Sequence, residues 1–454
     1  MSKAPDYSPD YASMDGWEVY SKNLAIEYEQ SVDEGLDVER YKNLFDAVAE
    51  LPDGAEKERL SDIIFEMVSE SGVKEDYPYN EPSDLEGIRA LRDGRSVSAP
   101  PPRDDILEDK ISGAWNGRIA GCLLGKILEG TWACFFVPLL RETGNYPMHR
   151  YLLRSDVEGR DLSKYYIDQG RDCYADEIEC APSDDDTNYT VISQKLIERY
   201  GREFTTSNVG EIWIALQPKG AYCTAERVAF LNLVRGLRPP RTATYKNAYR
   251  EWIGAQIRAD YYGYINPGDP ETAAEMAWRD ASLSHVKNGI YGAMFVAAML
   301  ACAAVRDNVR DVILGGLSEI PKTSRLYKHV SDTVNLFDQG KSFEEAVDHI
   351  NSNFNEHTPH GWCHTISNAM IVTAALLYGD GDYGKTVGLA VQTGFDTDCN
   401  GATAGSVFGM LHGAGKIGPE WTAPLNGKLR TDIFRAEKAD ISELVKKTLS
   451  QMPK

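Results

Sequence analysis

The sequence lacks the paired cysteines of a zinc knuckle or a disulfide-stabilised domain. Its eight cysteines are scattered along 454 residues, and no Cys-x-x-Cys pair occurs among them. This spacing argues against both structures. We expect most of these thiols to be small, buried apolar groups.

Positive charge is scarce. The chain has 48 Lys and Arg residues against 69 Asp and Glu, which gives a formal net charge of -21. A protein of this charge is repelled by phosphate backbones and by anionic lipid. We therefore expect neither nucleic acid nor a membrane surface as a partner.

Long hydrophobic runs are missing as well. The longest apolar stretch, "GIYGAMFVAAMLACAAV" at 289–305, is shorter than the ~20 residues of a membrane-crossing helix and is rich in Ala and Gly. It predicts a buried helix. The first twenty residues contain neither the basic segment nor the apolar run of a secretory signal, which predicts a cytoplasmic protein.

Helical patterning dominates the chain, and strand patterns are hard to find. Three prolines in "SVSAPPPRDD" mark a boundary near Pro102. We predict a helical N-terminal extension and linker over 1–102 and a compact all-α domain over 103–454. The patterns in the extension predict two inward helix faces, formed by Leu44, Val48 and Leu51 and by Leu60, Ile63, Ile64 and Met67.

Small residues recur at helical spacing in "NGRIAGCLLGKILEG". Gly117, Gly121 and Gly125 lie four residues apart, on one face of a predicted helix. Without side chains there, another helix or a ligand can approach the backbone closely.

Two acidic clusters each precede a predicted helix. The first, "SDDDTNYT", contains Asp184, Asp185 and Asp186; alone, it is also explained by a helix start capped by Ser183 and favoured by the helix dipole. The second, "GFDTDCNGATAGSVFGMLHG", contains Asp396 and Asp398 before a helix of small residues, which predicts a buried helix start.

Five carboxylates brought together would repel strongly unless a cation lay among them. All-oxygen ligands favour hard ions such as Mg²⁺, Mn²⁺ or Ca²⁺, and this number of carboxylates suffices for two ions bridged by a shared aspartate. That the two clusters meet in space is a hypothesis at this point.

These motifs, together with "GRIAGCLLGKILEG" and "DASLSHVKNGIYG", resemble those of the ADP-ribosylglycohydrolases in the same order, from about residue 110 to Trp421. The resemblance implies an all-α fold and a binuclear Mg²⁺ or Mn²⁺ centre. It also implies hydrolysis of the glycosidic bond at ribose C1 of an ADP-ribosylated protein or small molecule.

The resemblance further implies which residues bind the ions. Asp185, Asp186, Asp396 and Asp398 match family ligands, with Asp398 the expected bridge. Asp184 and Cys399 stand where the family often has hydroxyl groups. An extra carboxylate at Asp184 adds negative charge and shifts the expected preference toward Mn²⁺ or Ca²⁺, whereas the thiol of Cys399 is a poor ligand for Mg²⁺.

Substrate-binding residues are implied in the same way. Glu129 matches an acidic residue near the ribose, so Glu129 and Asp185 are the candidate proton acceptors. Gly254 and Arg258 match a loop that cradles the diphosphate, and His285 matches a histidine near the distal ribose. The aromatic residues near this loop either stack on adenine or belong to the core; they are Trp252, Tyr261, Tyr262 and Tyr264.

Three other functions remain open at the level of sequence. The first alternative is an N-glycosidase of a free nucleoside or another ribosylated metabolite, because the departures from the family pattern, such as Cys122 in place of Asp, fall near the ADP half. The second is a noncatalytic member of the fold, against which the presence of all five aspartates argues. The third is a binuclear phosphohydrolase, for which His357, His360 and His364 are the nearest group of histidines.

Overall fold

A computed structural model describes residues 9–94, 97–168 and 170–453. Within these residues the chain forms α-helices almost throughout, with one short antiparallel hairpin near the C-terminus. The α-helices are α1 Leu24–Asp33, α2 Lys42–Ala49, α3 Ala55–Glu70, α4 Leu85–Ala90, α5 Asp104–Lys126, α6 Ala133–Glu142, α7 Arg154–Val157, α8 Asp185–Tyr200, α9 Thr206–Leu216, α10 Thr224–Val234, α11 Arg241–Thr244, α12 Asp260–Tyr264, α13 Pro270–Ala281, α14 Lys287–Ala303, α15 Val309–Leu317, α16 Arg325–Asp338, α17 Phe343–Asn353, α18 Pro359–Cys363, α19 Thr365–Tyr378, α20 Tyr383–Gln392, α21 Thr397–His412, α22 Pro419–Thr422 and α23 Ile441–Ser450.

Shorter elements connect these helices. The hairpin consists of β1 Lys428–Arg430 and β2 Lys438–Asp440, with Leu429 opposite Ala439. Short 3-10 helices occupy Gly16–Glu18, Tyr20–Asn23, Glu39–Tyr41, Leu162–Tyr165, Lys219–Ala221, Ile253–Arg258, Ala414–Lys416 and Ala423–Leu425. The all-α fold class expected from the sequence is confirmed.

The helices of the extension enclose a small core of their own. Its buried residues are Tyr20, Leu24, Val38, Phe45, Val48, Ile64 and Val68. The faces predicted for α2 and α3 were therefore partly wrong, because Leu44 and Ile63 point to solvent at 38% and 48% exposure. Phe45 and Val68 are buried instead, whereas Val48 and Ile64 are buried as predicted.

The two long apolar stretches of the sequence form the interior of the main domain. Helices α14 and α19 are buried almost along their whole length, as their composition predicts. None of the helices in the described part of the chain combines the length and apolar character needed to cross a bilayer.

The closest helix contact of the fold lies between α5 and α21, which run antiparallel. We call it the glycine seam, formed by Gly113, Gly117, Gly121 and Gly125 of α5 and by Gly401, Gly405 and Gly409 of α21. A Cβ atom added at Gly117 would overlap the carbonyl oxygen of Gly405, and the same holds in the opposite direction. The spacing that predicted a close approach thus joins two specific helices backbone to backbone.

The extension is attached to the main domain by buried charges. The guanidinium of Arg250 donates to Glu27 at 2.8 Å and to Glu34 at 2.5 Å, both on or beside α1. Arg325 pairs with Glu81 at 2.9 Å in the same manner. These groups are almost fully buried, so each charge depends on its partner for compensation.

We predict that Gly405→Ala destabilises the fold by about 1–3 kcal/mol, because the added methyl group must separate two helices in backbone contact. Urea denaturation measures the loss. The matched control is Gly220→Ala, where an added Cβ meets no atom within 4 Å. Equal midpoints for the two variants would contradict a tight seam.

Arg250→Leu should cost about 3–5 kcal/mol of unfolding free energy, since it leaves Glu27 and Glu34 buried without a cation. The control is Arg310→Leu, which breaks an exposed pair with Asp338 and should cost at most about 1 kcal/mol. Denaturant titration of both variants gives the comparison. A loss at Arg250 no larger than at Arg310 would show that solvent reaches the interface.

Candidate metal centre

The glycine seam brings both acidic clusters to one place. At its end, the backbone at Gly125 lies against that at Thr397, the first residue of α21, and Thr397 Oγ1 donates to the Gly125 carbonyl at 2.9 Å. Asp398 follows directly. The first cluster forms the start of α8, whose Asp186 is bound by Arg118 from the middle of α5. Helix α5 therefore positions carboxylates from two distant parts of the sequence.

Asp186, Asp398 and Cys399 form one close group of potential ligands. One ligand atom of each lies within 4.8 Å of the other two. Asp186 Oδ1 accepts from the Arg118 guanidinium at 3.0 Å, while Asp186 Oδ2 and Asp398 Oδ1 accept a hydrogen bond from no described residue although both are buried. Buried carboxylate oxygens need a partner, so these two atoms fit a cation.

Asp184 is engaged differently. It is the N-cap of α8, where Oδ1 accepts from the Asp186 amide at 2.9 Å, and Oδ2 pairs with the ammonium group of Lys126. The cap expected at Ser183 was thus displaced by one residue. Burial opposes ionisation of Asp184, but the neighbouring Lys126 outweighs it and holds the pKa of this carboxyl below its usual range.

Asp185 and Glu129 lie on the more open side of the centre. Both are partly exposed, whereas Asp186 is fully buried. Glu129 follows α5 after one turn, and its carboxylate lies 3.6 Å from Arg171, which also donates to the Glu129 carbonyl at 2.6 Å. The structure therefore places both candidate proton acceptors beside the acidic cluster.

The pKa shifts of these carboxylates reflect their proximity across the two clusters. Burial, then repulsion by Asp184, Glu129 and Asp396, raises the pKa of Asp185 well above its ordinary value. Burial and then Glu129 and Asp184 do the same for the pKa of Asp398. Carboxylates that raise each other's pKa across the two motifs are a strained arrangement that a cation would relieve.

The turn before α21 is held from outside the cluster. The Glu356 carboxylate accepts from the amides of Ala133 and Phe395 at 2.8 and 3.1 Å. Phe395 has a φ of 56°, which a phenylalanine rarely adopts, and it directly precedes Asp396. The backbone that aims Asp396 is thus locally strained and fixed by a buried acid.

Gly254, Arg258 and His285 lie together near Glu226, inside the domain. Arg258 is bound by the carboxylates of Glu226 and Asp280, and Gly254 faces the same Glu226 carboxylate. His285 is 1% exposed and shares its Nδ1 with Ser284 Oγ at 2.8 Å. Burial, and then the charge of Arg258, lower the pKa of His285, so the ring is neutral.

The four aromatic residues of this region belong to the core. Each is at most 3% exposed, and the three tyrosine hydroxyls hydrogen-bond to Gln451, Asp280 and Ser406. The aromatic residues are Trp252, Tyr261, Tyr262 and Tyr264. Of the two roles that the sequence allowed, the structure gives them the structural one.

Of the histidines named for the phosphohydrolase alternative, His360 bonds to the extension and His364 lies beside it. Trp252 Nε1 donates to His360 Nδ1 at 3.2 Å, so His360 Nε2 carries the proton that faces Asp33 at 2.9 Å. The Ile366 amide donates to His364 Nδ1 at 3.1 Å, which leaves the proton on Nε2 there too. Neither Nε2 offers a lone pair to a metal in this arrangement.

Sequence reasoning did not assign a role to Lys126 or Arg118. Both are cationic side chains within a stretch of small and apolar residues. This contrast in the sequence was the feature that could have indicated a role for them. It also gave no role to Cys122, Cys223 and Cys363, because isolated thiols carry no motif. Their positions became meaningful only when the carboxylates beside them were known.

Fold and site together define an all-α protein with a buried acidic centre at the starts of two helices, suited to divalent cations. A family model described as ADP-ribosylglycohydrolase matches residues 103–453, and the chain belongs to this family. Membership makes it a hydrolase of glycosidic bonds.

Comparison with curated proteins gave no match. Among solved structures, one described as an "ADP-ribosylglycohydrolase-related protein complex" aligns at a TM-score of 0.46 and 16% identity. The alignment covers 76% of this chain and 98% of that one.

We predict that Mg²⁺ or Mn²⁺ raises the melting temperature, with a gain of about 2.7 kcal/mol at 100 times the dissociation constant. Asp398→Asn should raise stability in metal-free buffer, because it removes a buried like charge, and should abolish the gain from added ions. Differential scanning calorimetry measures both effects. The control is Asp380→Asn, whose side chain is 75% exposed, and which should change neither.

Proposed function

We propose that this chain hydrolyses the bond between ribose C1 and its substituent in an ADP-ribosylated protein or small molecule, at a binuclear Mg²⁺ or Mn²⁺ centre. The observation that carries the proposal is the meeting of two carboxylate clusters around two buried oxygens that accept no hydrogen bond from a described residue. Family membership supplies the reaction class.

Charge supports two ions. The centre and its immediate neighbours contain seven carboxylates and three cationic side chains, so the formal charge is minus four, which equals the charge of two divalent cations with opposite sign. The carboxylates are Glu129, Asp184, Asp185, Asp186, Asp260, Asp396 and Asp398, and the cations are Arg118, Lys126 and Arg171.

The ligand set follows from which oxygens are free. Asp186 and Asp398 would hold the ions through their unpartnered oxygens, and Asp185 and Asp396 would complete the set. Asp184 joins it if an ion displaces Lys126 from Oδ2. When bound, the ions lower the pKa of a water molecule and orient the ribose hydroxyl groups.

The chain's own residues supply the rest of the chemistry. Asp185 and Glu129 lie on the open side, so one of them accepts the proton of the attacking water at a carboxylate oxygen. The negative charge beside them favours the positive character that develops at C1. The Arg118 guanidinium holds Asp186 in place, because it donates to the Asp186 carboxylate at 3.0 Å and to the Asp186 carbonyl oxygen at 2.8 Å.

We predict that one of the two substitutions Glu129→Gln and Asp185→Asn lowers kcat by about 10²–10⁴-fold, because it removes the residue that accepts the water proton. Release of ADP-ribose from ADP-ribosylated arginine measures the loss. Glu142→Gln, at the exposed last residue of α6, serves as the control. Full activity of both site variants would contradict the assigned roles.

A second candidate is supported by one observation. Arg258 and Gly254, which resemble a diphosphate-binding loop, lie against the buried Glu226 carboxylate. A diphosphate at this point would meet a carboxylate, which favours a ribosylated substrate without phosphate, such as a nucleoside. The same assay run with free nucleosides separates the two: base release without ADP-ribose release would establish the N-glycosidase.

A further inference from the structure

Thiols surround the acidic centre. Four of the eight cysteines lie beside its carboxylates. The Cys363 thiol donates to Asp396 Oδ2 at 3.6 Å, while Cys122 lies near Asp184, Cys223 near Asp185, and Cys399 near Asp186 and Asp398. Hard cations such as Mg²⁺ take oxygen ligands rather than sulfur.

Cys399 completes a ligand group in which both carboxylates have a free oxygen. Cys399 Sγ lies within 4.8 Å of carboxylate oxygens of both Asp186 and Asp398. Asp186 Oδ2 and Asp398 Oδ1 accept no hydrogen bond within the described part of the chain, and these side chains are buried to at least 98%. Asp398 and Cys399 both belong to the first turn of α21, so the seam with α5 holds them rigidly.

The neighbouring group is less suitable. Cys122 also lies within 4.8 Å of oxygens of Asp184 and Asp186. However, Lys126 occupies Asp184 Oδ2 and the Asp186 amide occupies Oδ1, so a cation there would have to displace an existing partner. The group with Cys399 requires no such exchange.

The chemistry of the free group matches a thiophilic ion. Zn²⁺ binds thiolate sulfur at about 2.3 Å and carboxylate oxygen at about 2.0–2.2 Å, which permits ligand atoms several ångströms apart. Mg²⁺ demands near-octahedral oxygen ligands instead. Two oxygens and one sulfur also leave a fourth tetrahedral position for water, as in catalytic zinc sites.

We propose that Asp186, Asp398 and Cys399 form a thiolate-containing site that takes Zn²⁺, or a similarly thiophilic divalent ion, in preference to Mg²⁺. This inference rests on the metal dependence proposed above and refines which ion one half of the centre binds. On binding, the S–H bond of Cys399 breaks, a sulfur–metal bond forms, and the proton passes to solvent.

Cobalt substitution tests this directly. Metal-free full-length protein is titrated with Co²⁺, which replaces zinc and absorbs in the near ultraviolet when a thiolate is bound to it. We expect this charge-transfer band in the wild type, its loss in Cys399→Ser, and its removal by added Zn²⁺. Cys302→Ser is the matched control, because Cys302 is equally buried but packs against Gly315 on α15, away from the centre.

Affinity provides the second measurement. By calorimetry, Cys399→Ser should weaken Zn²⁺ binding by roughly tenfold or more while leaving Mg²⁺ binding nearly unchanged. Retained Mg²⁺ binding also shows that the variant is folded. Cobalt bound without the band, or a band that persists in Cys399→Ser, would overturn the inference.

The two proposals fail in distinguishable ways. If the band is absent and the wild type still releases ADP-ribose with Mg²⁺ or Mn²⁺, the proposed function stands and the thiolate site is wrong. If the band depends on Cys399 and no ribosylated substrate is cleaved with any of these ions, the thiolate site stands and the proposed function is wrong.

Discussion

Contact between the backbones of α5 and α21 is the constraint on which the centre depends. Glycines on both helices remove the side chains that would hold them apart, so Thr397 reaches the carbonyl of Gly125 and Asp398 reaches the first acidic cluster. Arg118, on the same α5, binds Asp186 from beneath. A single helix therefore sets the separation of carboxylates that are far apart in sequence.

Such a centre opposes the stability of the fold. Its carboxylates raise one another's pKa, and two buried oxygens lack a hydrogen bond from any described residue, so the folded chain bears a cost that an ion would offset. Lys126 and Arg118 compensate part of the charge and leave the rest. Strain at Phe395 is a further local cost beside the same carboxylates.

Ion pairs, rather than the small core of the extension, join the extension to the main domain. Arg250, Arg325 and His360 of the main domain each bind an acid from the first hundred residues. These contacts lie on the side of the domain that holds Glu251 and Trp252, close to the loop of Gly254. The extension thus contacts the region that resembles a diphosphate-binding loop.

Local patterns in the sequence determined the helical fold, the buried α14 and α19, the glycine spacing and the five candidate aspartates, because periodicity and helix-start chemistry depend only on near neighbours. They did not determine that Phe45 rather than Leu44 turns inward, or that Asp184 caps α8 and binds Lys126. Nor did they reveal that Glu226 binds Arg258. Only the tertiary structure decided these, because the partner of a buried charge or thiol is chosen by contacts between segments that are distant in the chain.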